Sequence, residues 1–410
     1  MNTTIDHIVM IGPFGLHPRM TMRVRALPLA KALVRRGYRV TLLLPPWQTP
    51  EEAGRVWDED GVRIENVSLP RGVPGWFHLR LAATLVQRAR VGGPDVIHTF
   101  KPKAYAGLAH LMLRRYPVVV DTDDWEGPGG WNAQADYTPL LQRFFTWQER
   151  WGLTHADAVT VASRALQTLA WSMGGPAERV IYLPNGASAS PVAPSTTLTE
   201  RPTVLLYTRF FEYELDRLWR IMRQIRERRA DARFLVVGKG FDDEETRLLD
   251  LAHRAGWRID RAEVMDGEGL YRVPDADLAY AGWGTPQNLP ICFGAADLAI
   301  YPFDDTLLNR TKCPMKLMDL LAAGIPVVAD AVGQIVTAID AGRTGLLVRP
   351  GSDGAFAEAV LELLGEPPRL RAMGLAARAD VTDRFGWDRL AEAAIAAYRY
   401  AVMARRGNMV

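Results

Sequence analysis

Cysteine is scarce in this sequence of 410 residues, which contains only Cys292 and Cys313. Two such cysteines give neither a disulfide framework nor the spacing of a metal site. The first residues lack the basic and then apolar pattern of a signal peptide. No run of about 18 uncharged apolar residues is present to span a membrane. We therefore expect a cytoplasmic protein, and only peripheral contact with the inner membrane face stays open.

Lysine is also rare, because only six of the 49 Lys and Arg residues are lysines, at positions 31, 101, 103, 239, 312 and 316. The formal net charge of +2 is too small to indicate a nucleic-acid-binding protein. Residues 1–190 carry 21 basic and 16 acidic residues, which suits an ordinary solvated face, an anionic acceptor or a membrane surface. The close pair Lys312 and Lys316 indicates either a need for compact charge or chance.

Short apolar runs alternate with helical patterns along the whole chain, from Ile8–Ile11 to Gly345–Val348. This alternation predicts an α/β protein with doubly wound parallel sheets. The length exceeds what one core supports, and a Pro/Ser/Ala-rich stretch interrupts the pattern near its middle. We predict one Rossmann-like domain over 1–190, a linker over 191–202, a second such domain over 203–386, and an amphipathic helix over 387–410 that can pack back on the first domain. Ligands should bind in the cleft between the domains.

Three glycine-containing turns follow predicted strands, at Gly12–Gly15, Gly238–Gly240 and Gly282–Gly284. Glycine allows close approach of the backbone to a phosphate or sugar, and a following helix offers its N-terminal amides. None of the three is a complete dinucleotide-binding fingerprint. Each also suits an ordinary turn.

Lys316 and Asp319 carry the most specific pattern. A buried strand over Leu298–Tyr301 leads into a polar loop, and a helix is predicted to begin near Pro314 and to end at Gly324. Residues three apart on a helix face the same side. A lysine at a helix N-terminus favours an anion, and a carboxylate one turn later can accept sugar hydroxyls. A surface Lys–Asp pair is the alternative.

Around these residues the sequence resembles the donor-binding signature of the retaining glycosyltransferases of family 4, which have the GT-B fold of two Rossmann-like domains facing each other across a cleft. The signature is the run Cys-Pro-Met-Lys-Leu-Met-Asp-Leu-Leu-Ala-Ala-Gly-Ile-Pro-Val-Val-Ala over 313–329. Further similar segments lie at 95–98, 156–163, 183–186, 204–209 and 282–297. The resemblance implies an acceptor-binding first domain and a second domain that binds a nucleotide sugar.

The resemblance also implies roles for individual residues. Arg209 and Lys316 would bind the donor diphosphate, Asp319 a ribose hydroxyl, and the backbone near Trp283 the base. The expected donor-binding residues are Gly15, Arg209, Gly238, Trp283, Gly284, Thr285, Lys312, Lys316 and Asp319. Cations at the diphosphate stabilise the departing group, so no metal and no cofactor beyond the donor itself are expected.

The chain departs from the family pattern in three respects. The family has two glutamates eight positions apart, whereas this chain has Thr311 and Asp319. The lysine that follows the diphosphate arginine is missing, because Phe-Phe-Glu-Tyr-Glu-Leu follows Arg209. We propose that Lys312 supplies the lost charge.

The third departure is a run of acids where many relatives have a histidine, within Val118–Glu126. We predict that Asp123, Asp124 or Glu126 faces the acceptor or sugar, and an N-cap cluster is the alternative. His98 is a further candidate unless it is structural. The Asp121-Thr-Asp123 triplet also matches the metal motif of a single-domain transferase fold, which two α/β halves do not suit.

Aromatic and arginine residues mix on two helical stretches, around Trp76–Arg90 and Phe144–Trp151. Both could rest on a bilayer while a lipid acceptor is glycosylated, or pack against the neighbouring sheet.

These observations predict a hexosyltransferase that uses a UDP- or GDP-linked sugar, retains anomeric configuration, and acts on a sugar, lipid or small-molecule acceptor. A nucleotide-sugar epimerase of the same shape and a degenerate, non-catalytic nucleotide-sugar-binding protein are the alternatives.

Overall fold

The chain folds into two compact units, which we describe from a computed structural model. The structure describes residues 5–71, 74–134, 136–188, 201–261, 275–284 and 289–407. The first unit comprises Met1–Gly186, Thr311–Cys313 and Trp387–Val410, and the second comprises Ala187–Arg310 and Pro314–Gly386. Most of the predicted linker and Thr285 lie outside the described residues.

The first unit contains an eight-stranded sheet in the order β3-β4-β2-β1-β5-β6-β7-β8. Its strands are β1 (His7–Ile11), β2 (Arg39–Leu44), β3 (Val56–Glu59), β4 (Val62–Asn66), β5 (Val96–Phe100), β6 (Val118–Thr122), β7 (Ala158–Val161) and β8 (Val180–Tyr182). All neighbours are parallel except β3 and β4. In the register of the central strands, Ile8 pairs with Val40 on one side and with Val96 on the other.

The second unit contains a seven-stranded, all-parallel sheet in the order β11-β12-β10-β9-β13-β14-β15. Its strands are β9 (Thr203–Tyr207), β10 (Arg233–Val237), β11 (Ile259–Arg261), β12 (Leu278–Tyr280), β13 (Leu298–Tyr301), β14 (Val327–Asp330) and β15 (Leu346–Val348). Parallel strands are covered on both faces, which explains why these runs are almost continuously apolar. Two parallel-sheet α/β units confirm the predicted fold class.

Helices connect and cover the strands. In the first unit they are α1 (Leu27–Arg35), α2 (Pro74–Arg90), α3 (Ala104–Met112), α4 (Trp131–Gln134), α5 (Pro139–His155), α6 (Arg164–Ser172) and, from the end of the chain, α15 (Trp387–Gly407). In the second unit they are α7 (Leu215–Arg228), α8 (Glu244–Arg254), α9 (Leu289–Gly294), α10 (Leu307–Thr311, whose last residue belongs to the first unit), α11 (Met315–Ala322), α12 (Ile335–Ala338), α13 (Asp353–Gly365) and α14 (Pro367–Phe385). Across the described residues, none of the helices has the length and apolar character that a membrane span requires.

Each sheet is the centre of its unit's core. One face of the first sheet packs against α1 and α15, with Leu33 and Tyr398 completely buried. The other face packs against α2, α3 and α5, and Leu85 and Ala109 lie in that layer. The core of the second unit includes buried residues of β9, α7 and α13, such as Phe356.

Local sequence signals set several helix ends. Pro28 lies in the first turn of α1, directly after a π-helical turn at Met22–Ala26, so the helix type changes just before this proline. The Ser163 side chain accepts a hydrogen bond from the backbone N–H of Leu166 and caps α6. Gly324 adopts a φ of 74° after α11, a left-handed conformation that glycine tolerates and that ends helices.

Candidate functional site

In each sheet, the chain first adds strands on one side of the first strand and later adds them on its other side. The sheet therefore has one topological switch point. In the first sheet this point lies between β1 and β5, and in the second between β9 and β13. Open α/β folds bind ligands outside the carboxyl ends of the strands at such a point. The loop after β9 carries Arg209, and the segment after β13 leads to Lys316 and Asp319. Arg209, Lys316 and Asp319 therefore lie on segments that follow the two strands where the fold of the second unit favours a ligand.

Arg209 lies two residues beyond β9 and is held between two aromatic rings. Its Cζ atom is 4.4 Å from the ring centroid of Phe241 and 4.7 Å from that of Trp283. Its Nε atom is buried and has no hydrogen-bond partner among the described residues. Burial lowers the pKa of Arg209, and the nearby carboxylate of Glu212 opposes that shift. The rings thus orient a guanidinium that keeps hydrogen-bonding capacity for a ligand.

Lys316 and Asp319 lie three residues apart on α11, and both side chains are partly buried. The Nζ atom of Lys316 is 5.5 Å from the ring centroid of Tyr207. Burial lowers the pKa of Lys316, with Glu212 and Asp319 opposing the shift and Arg209 adding to it. Burial raises the pKa of Asp319 to about 6 against the effect of Lys316. Lys316 therefore lies within electrostatic range of both Arg209 and Asp319.

The glycines of the second unit differ in how strictly they are required. Gly238 follows β10 with a φ of 134°, and a Cβ atom there would lie 1.8 Å from the backbone oxygen of Thr208. No other residue fits this position. A Cβ at Gly284 would lie 2.7 Å from the flexible side chain of Leu289. Trp283 directly precedes Gly284 and is 52% exposed, so its ring is accessible beside Arg209.

Gly15 and Lys312 belong to the first unit. Gly15 is buried in the loop after β1, and a Cβ atom there would meet its nearest neighbour at 3.4 Å. Lys312 is almost fully buried, and its Nζ atom is 4.9 Å from the ring centroid of Trp131. Lys312 and Lys316 therefore belong to different units, and their joint binding of one diphosphate stays a prediction.

The acids after β6 form a paired network with two lysines from the loop after β5. Lys101 lies 2.8 Å from Asp123, 3.3 Å from Asp124 and 3.4 Å from Glu126. Lys103 lies 2.6 Å from Glu126. Burial raises the pKa of Asp123 to about 6 although Lys101 opposes that shift. Burial would lower the pKa of Lys101, but the carboxylates raise it well above its usual value.

The network differs in exposure from one acid to the next. Asp123 and Glu126 are buried, whereas the Asp124 side chain is 23% exposed. Lys101 also has a φ of 60°, which is uncommon for a residue other than glycine and often marks functional loops. Asp124 is therefore the acid of this run that a ligand can reach most easily.

Asp121, the first acid of the Asp-x-Asp triplet, is bound to Arg25 of the π-helical turn. The Arg25 guanidinium donates to both carboxylate oxygens at 2.8 and 2.6 Å, and the Thr160 hydroxyl donates at 2.7 Å. Arg25 also donates to the Asn185 side chain at 2.9 Å. Both acids of the triplet therefore have a basic partner, and Arg25 connects Asp121 at the carboxyl end of β6 to Asn185 in the segment Pro184-Asn185-Gly186.

His98 lies inside the first core with no exposed surface. Its ring nitrogens are hydrogen bonded with the hydroxyls of Tyr398 at 2.9 Å and Thr160 at 3.3 Å. Burial lowers the pKa of His98 to about 4. A neutral, enclosed imidazole with two partners suits the structural role that the sequence left open, and a catalytic role of His98 stays a prediction.

Sequence reasoning missed Arg25, Lys101, Lys103 and Glu212 as members of these clusters. Lys101 and Lys103 could have been found, because lysine is rare in this chain and both residues lie just after a predicted strand. No sequence signal singles out Arg25 among 43 arginines. Glu212 was visible only as part of the segment that lacks the family lysine.

Comparison with known families also divides the chain into two parts. Residues 21–186 match the family model of the glycosyl transferase 4-like domain, and residues 201–366 match that of the glycosyl transferases group 1. Together the two matches cover most of the chain. The chain therefore belongs to the family 4 glycosyltransferases, as its sequence motifs predicted, and the epimerase alternative is not favoured.

Two curated relatives are GDP-mannose-dependent alpha-(1-6)-phosphatidylinositol monomannoside mannosyltransferases. The chain is 29% identical to the Mycobacterium tuberculosis protein over 248 residues, which cover 57% of this chain and only 60% of that protein. It is 28% identical to the Mycolicibacterium smegmatis protein over 370 residues, which cover 86% and 88% of the two chains.

Among solved structures, sucrose-phosphate synthase from Thermosynechococcus elongatus has a similar fold. The TM-score is 0.70 at 20% identity, and the match covers 96% of this chain and 98% of the other. At this identity the likeness supports the GT-B fold and no finer property.

Proposed function

We propose that this chain transfers a hexose from a GDP- or UDP-linked sugar to an acceptor hydroxyl, with retention of anomeric configuration and without a metal ion. One observation carries the proposal. Arg209 and Lys316 are partly buried cations for which the described residues provide no ion pair, and they lie with Asp319 at the carboxyl ends of β9 and β13. A buried charge normally has a partner, so the pair is suited to an anionic ligand.

The proposed chemistry follows from where charge develops. Breaking the bond between the sugar and the diphosphate leaves negative charge on the diphosphate, and cations already in place stabilise it. Arg209, oriented by Phe241 and Trp283, would bind two phosphate oxygens at once. Lys316 would add a second charge. Asp319, once ionised, would accept a hydroxyl of the ribose.

We further propose a lipid-linked acceptor, as the names of the mycobacterial relatives indicate for those proteins. Two helices on one face of the first sheet expose large apolar side chains among arginines. Trp76 on α2 is 61% exposed, and Leu140 and Trp147 on α5 are 81% and 47% exposed. Such surfaces suit contact with an anionic membrane, which would place the protein at the inner membrane face.

Donor binding and transfer test the catalytic proposal. The protein is incubated with GDP-mannose or UDP-glucose and with vesicles that contain phosphatidylinositol monomannoside, and release of the nucleoside diphosphate is followed. We expect release that depends on both substrates and persists in EDTA. Donor binding without acceptor-dependent release would instead support the non-catalytic alternative.

Vesicle binding tests the membrane proposal separately. We expect co-sedimentation with vesicles of phosphatidylcholine and phosphatidylinositol, and a loss of most of it in the double variant Trp76→Ser, Trp147→Ser. The variant should keep the thermal stability of the wild type because both side chains are exposed. Unchanged vesicle binding in the variant would contradict the assignment of this surface.

A further inference from the structure

Glu212 is a buried acid beside the cations to which the proposed function assigns the donor diphosphate. It lies on the loop between β9 and α7 and is only 8% exposed. Neither the sequence motifs nor the proposed chemistry gives it a role. An acid next to a diphosphate site repels the diphosphate, so its presence requires another explanation.

The loop holds Glu212 in a defined position. Its backbone oxygen accepts hydrogen bonds from the Asp304 N–H at 2.9 Å and from the Asn309 side-chain amide at 2.7 Å. Two residues earlier, buried Phe210 adopts a φ of 67°, a conformation that is rare for a bulky residue. The Thr208 hydroxyl accepts from the Phe210 N–H at 2.8 Å and supports this turn. These contacts therefore hold the backbone of the loop at Glu212 in place.

The Glu212 carboxylate has unused hydrogen-bonding capacity. Its Oε2 atom is buried and has no hydrogen-bond partner among the described residues. Glu212 lines a cavity of about 10 Å³ together with Tyr207, Tyr213 and Tyr301. A space of this size holds one group as large as a water molecule. A hydroxyl is such a group, and it donates the hydrogen bond that the carboxylate lacks.

Electrostatics place the same carboxylate near the donor-binding cations. Burial is the largest influence on the pKa values of Arg209 and Lys316 and lowers both, and Glu212 opposes it at both residues. The cavity is also lined by Tyr207, whose ring lies beside the Lys316 ammonium. A sugar attached to a diphosphate at these cations would therefore lie close to the cavity.

We propose that Glu212 accepts a hydrogen bond from one hydroxyl of the transferred sugar and thereby distinguishes a nucleotide sugar from a bare nucleoside diphosphate. The inference rests on the proposed function. Glu212 would supply, from a different loop, a carboxylate in a chain that has Thr311 in place of the first family glutamate. It is a specificity-determining residue in this role.

Glu212→Gln tests the proposal because it preserves the size of the side chain and removes its charge. Affinities for GDP and GDP-mannose, and for UDP and UDP-glucose, are measured by calorimetry. We expect affinity for the nucleotide sugar to fall about ten- to a hundredfold, the usual effect of losing a hydrogen bond to a charged group. Affinity for the bare nucleoside diphosphate should stay equal or increase, because a repelling charge is removed.

Donor analogues that each lack one hydroxyl extend the test to the atom concerned. One analogue should bind the wild type more weakly than the parent donor does. The same analogue and the parent donor should bind Glu212→Gln with equal affinity. Glu214→Gln is the matched control, because Glu214 lies on the same loop and is exposed. It should leave all affinities unchanged.

The outcomes separate this proposal from the proposed function. An equal loss for nucleotide sugar and nucleoside diphosphate in Glu212→Gln would overturn the proposal, since Glu212 would then act only through the cations. No change for either ligand would also overturn it. If the wild type binds neither class of ligand, the proposed function itself fails. A thermal unfolding curve matching that of the wild type verifies that Glu212→Gln is folded.

Discussion

Two charged clusters, one in each unit, differ in whether their cations are paired. In the first unit, Lys101 contacts three carboxylates within 3.4 Å, and Arg25 binds both oxygens of Asp121. In the described part of the second unit, Arg209 and Lys316 lack such partners at the carboxyl ends of the central strands. Because desolvated charges are costly unless paired, removing a lysine from the paired cluster should destabilise the fold, whereas the unpaired cations suit a ligand. The comparison predicts opposite consequences of removing a cation from each unit.

The largest expected effect is on stability, in the variant Lys101→Met. Removing this lysine leaves three carboxylates without their common partner. Breaking a buried ion pair by removing one member costs about 3–5 kcal/mol. We expect the free energy of unfolding to fall by about that amount, measured by urea denaturation at pH 7.

Lys31→Met is the control for Lys101→Met. Lys31 contacts Glu59 and Asp60 at 2.6 and 2.8 Å, but its side chain is 22% exposed and that of Asp60 is 73% exposed. Exposed ion pairs contribute about 0–1 kcal/mol. A similar loss in both variants would show that the network around Lys101 has no special role in folding.

The next effect is on donor affinity, in the variant Lys316→Ala. We expect affinity for GDP-mannose or UDP-glucose to fall about a hundredfold, because a charge-assisted contact worth about 2–3 kcal/mol is lost. Stability should change little or increase, since the removed charge is partly buried and unpaired. Calorimetric titration and urea denaturation of the same preparation measure the two quantities.

Retained affinity in Lys316→Ala would contradict the ligand role of this cation. A stability loss like that of Lys101→Met would contradict the difference between the two clusters. Arg209→Ala should behave as Lys316→Ala does. Arg220→Ala serves as the control on α7, because its side chain is 55% exposed.

A smaller effect concerns pH and Asp319. Its pKa of about 6 in the folded protein exceeds the usual unfolded value of about 3.9. The folded state therefore binds more protons between these values, and this residue makes stability fall as pH rises from about 4 to 6. Donor binding should change in the opposite sense, since the ionised carboxylate is the stronger hydrogen-bond acceptor for the ribose hydroxyl.

Titrations with a nucleotide sugar at pH 5 and pH 7 test this prediction. We expect about tenfold weaker binding at pH 5, where roughly a tenth of Asp319 is ionised. Asp319→Asn should bind weakly at both pH values and should show a smaller fall in stability between pH 4 and 6 than the wild type. A wild-type affinity that does not depend on pH would show that Asp319 makes no contact with the donor.

Much of the fold could be predicted from sequence because alternating apolar runs and helices define parallel sheets. The order of the strands could not be predicted, because it depends on the edge of the sheet at which each new strand is added. The end of α11 at Gly324 was predictable from a local signal. The assignment of Thr311–Cys313 to the first unit was not, because it arises from contacts such as the hydrogen bond between Asn185 and the Cys313 carbonyl, 128 residues apart.

The site was predictable where residues form a linear motif, as Lys316 and Asp319 do. It was not predictable where side chains meet only through the fold. Histidine is a common catalytic residue type, so the sequence makes His98 a candidate. Its burial, which suits a structural role, depends on Tyr398, 300 residues further along the chain. Glu212 lacks any motif, and only its enclosed carboxylate indicates a role.

The smallest effect that we predict is that of Lys312→Ala on donor affinity, and it tests the comparison most directly. Lys312 belongs to the first unit and Lys316 to the second. If Lys312 replaces the missing family lysine, its removal should weaken nucleotide-sugar binding several-fold, because one of three charges at the diphosphate is lost. Its ammonium also lies beside the Trp131 ring, so Lys312→Arg should retain both the charge and the ring contact and should bind donor nearly as the wild type does. Unchanged affinity in Lys312→Ala, with affinity abolished in Lys316→Ala, would confine the diphosphate-binding charge to the second unit.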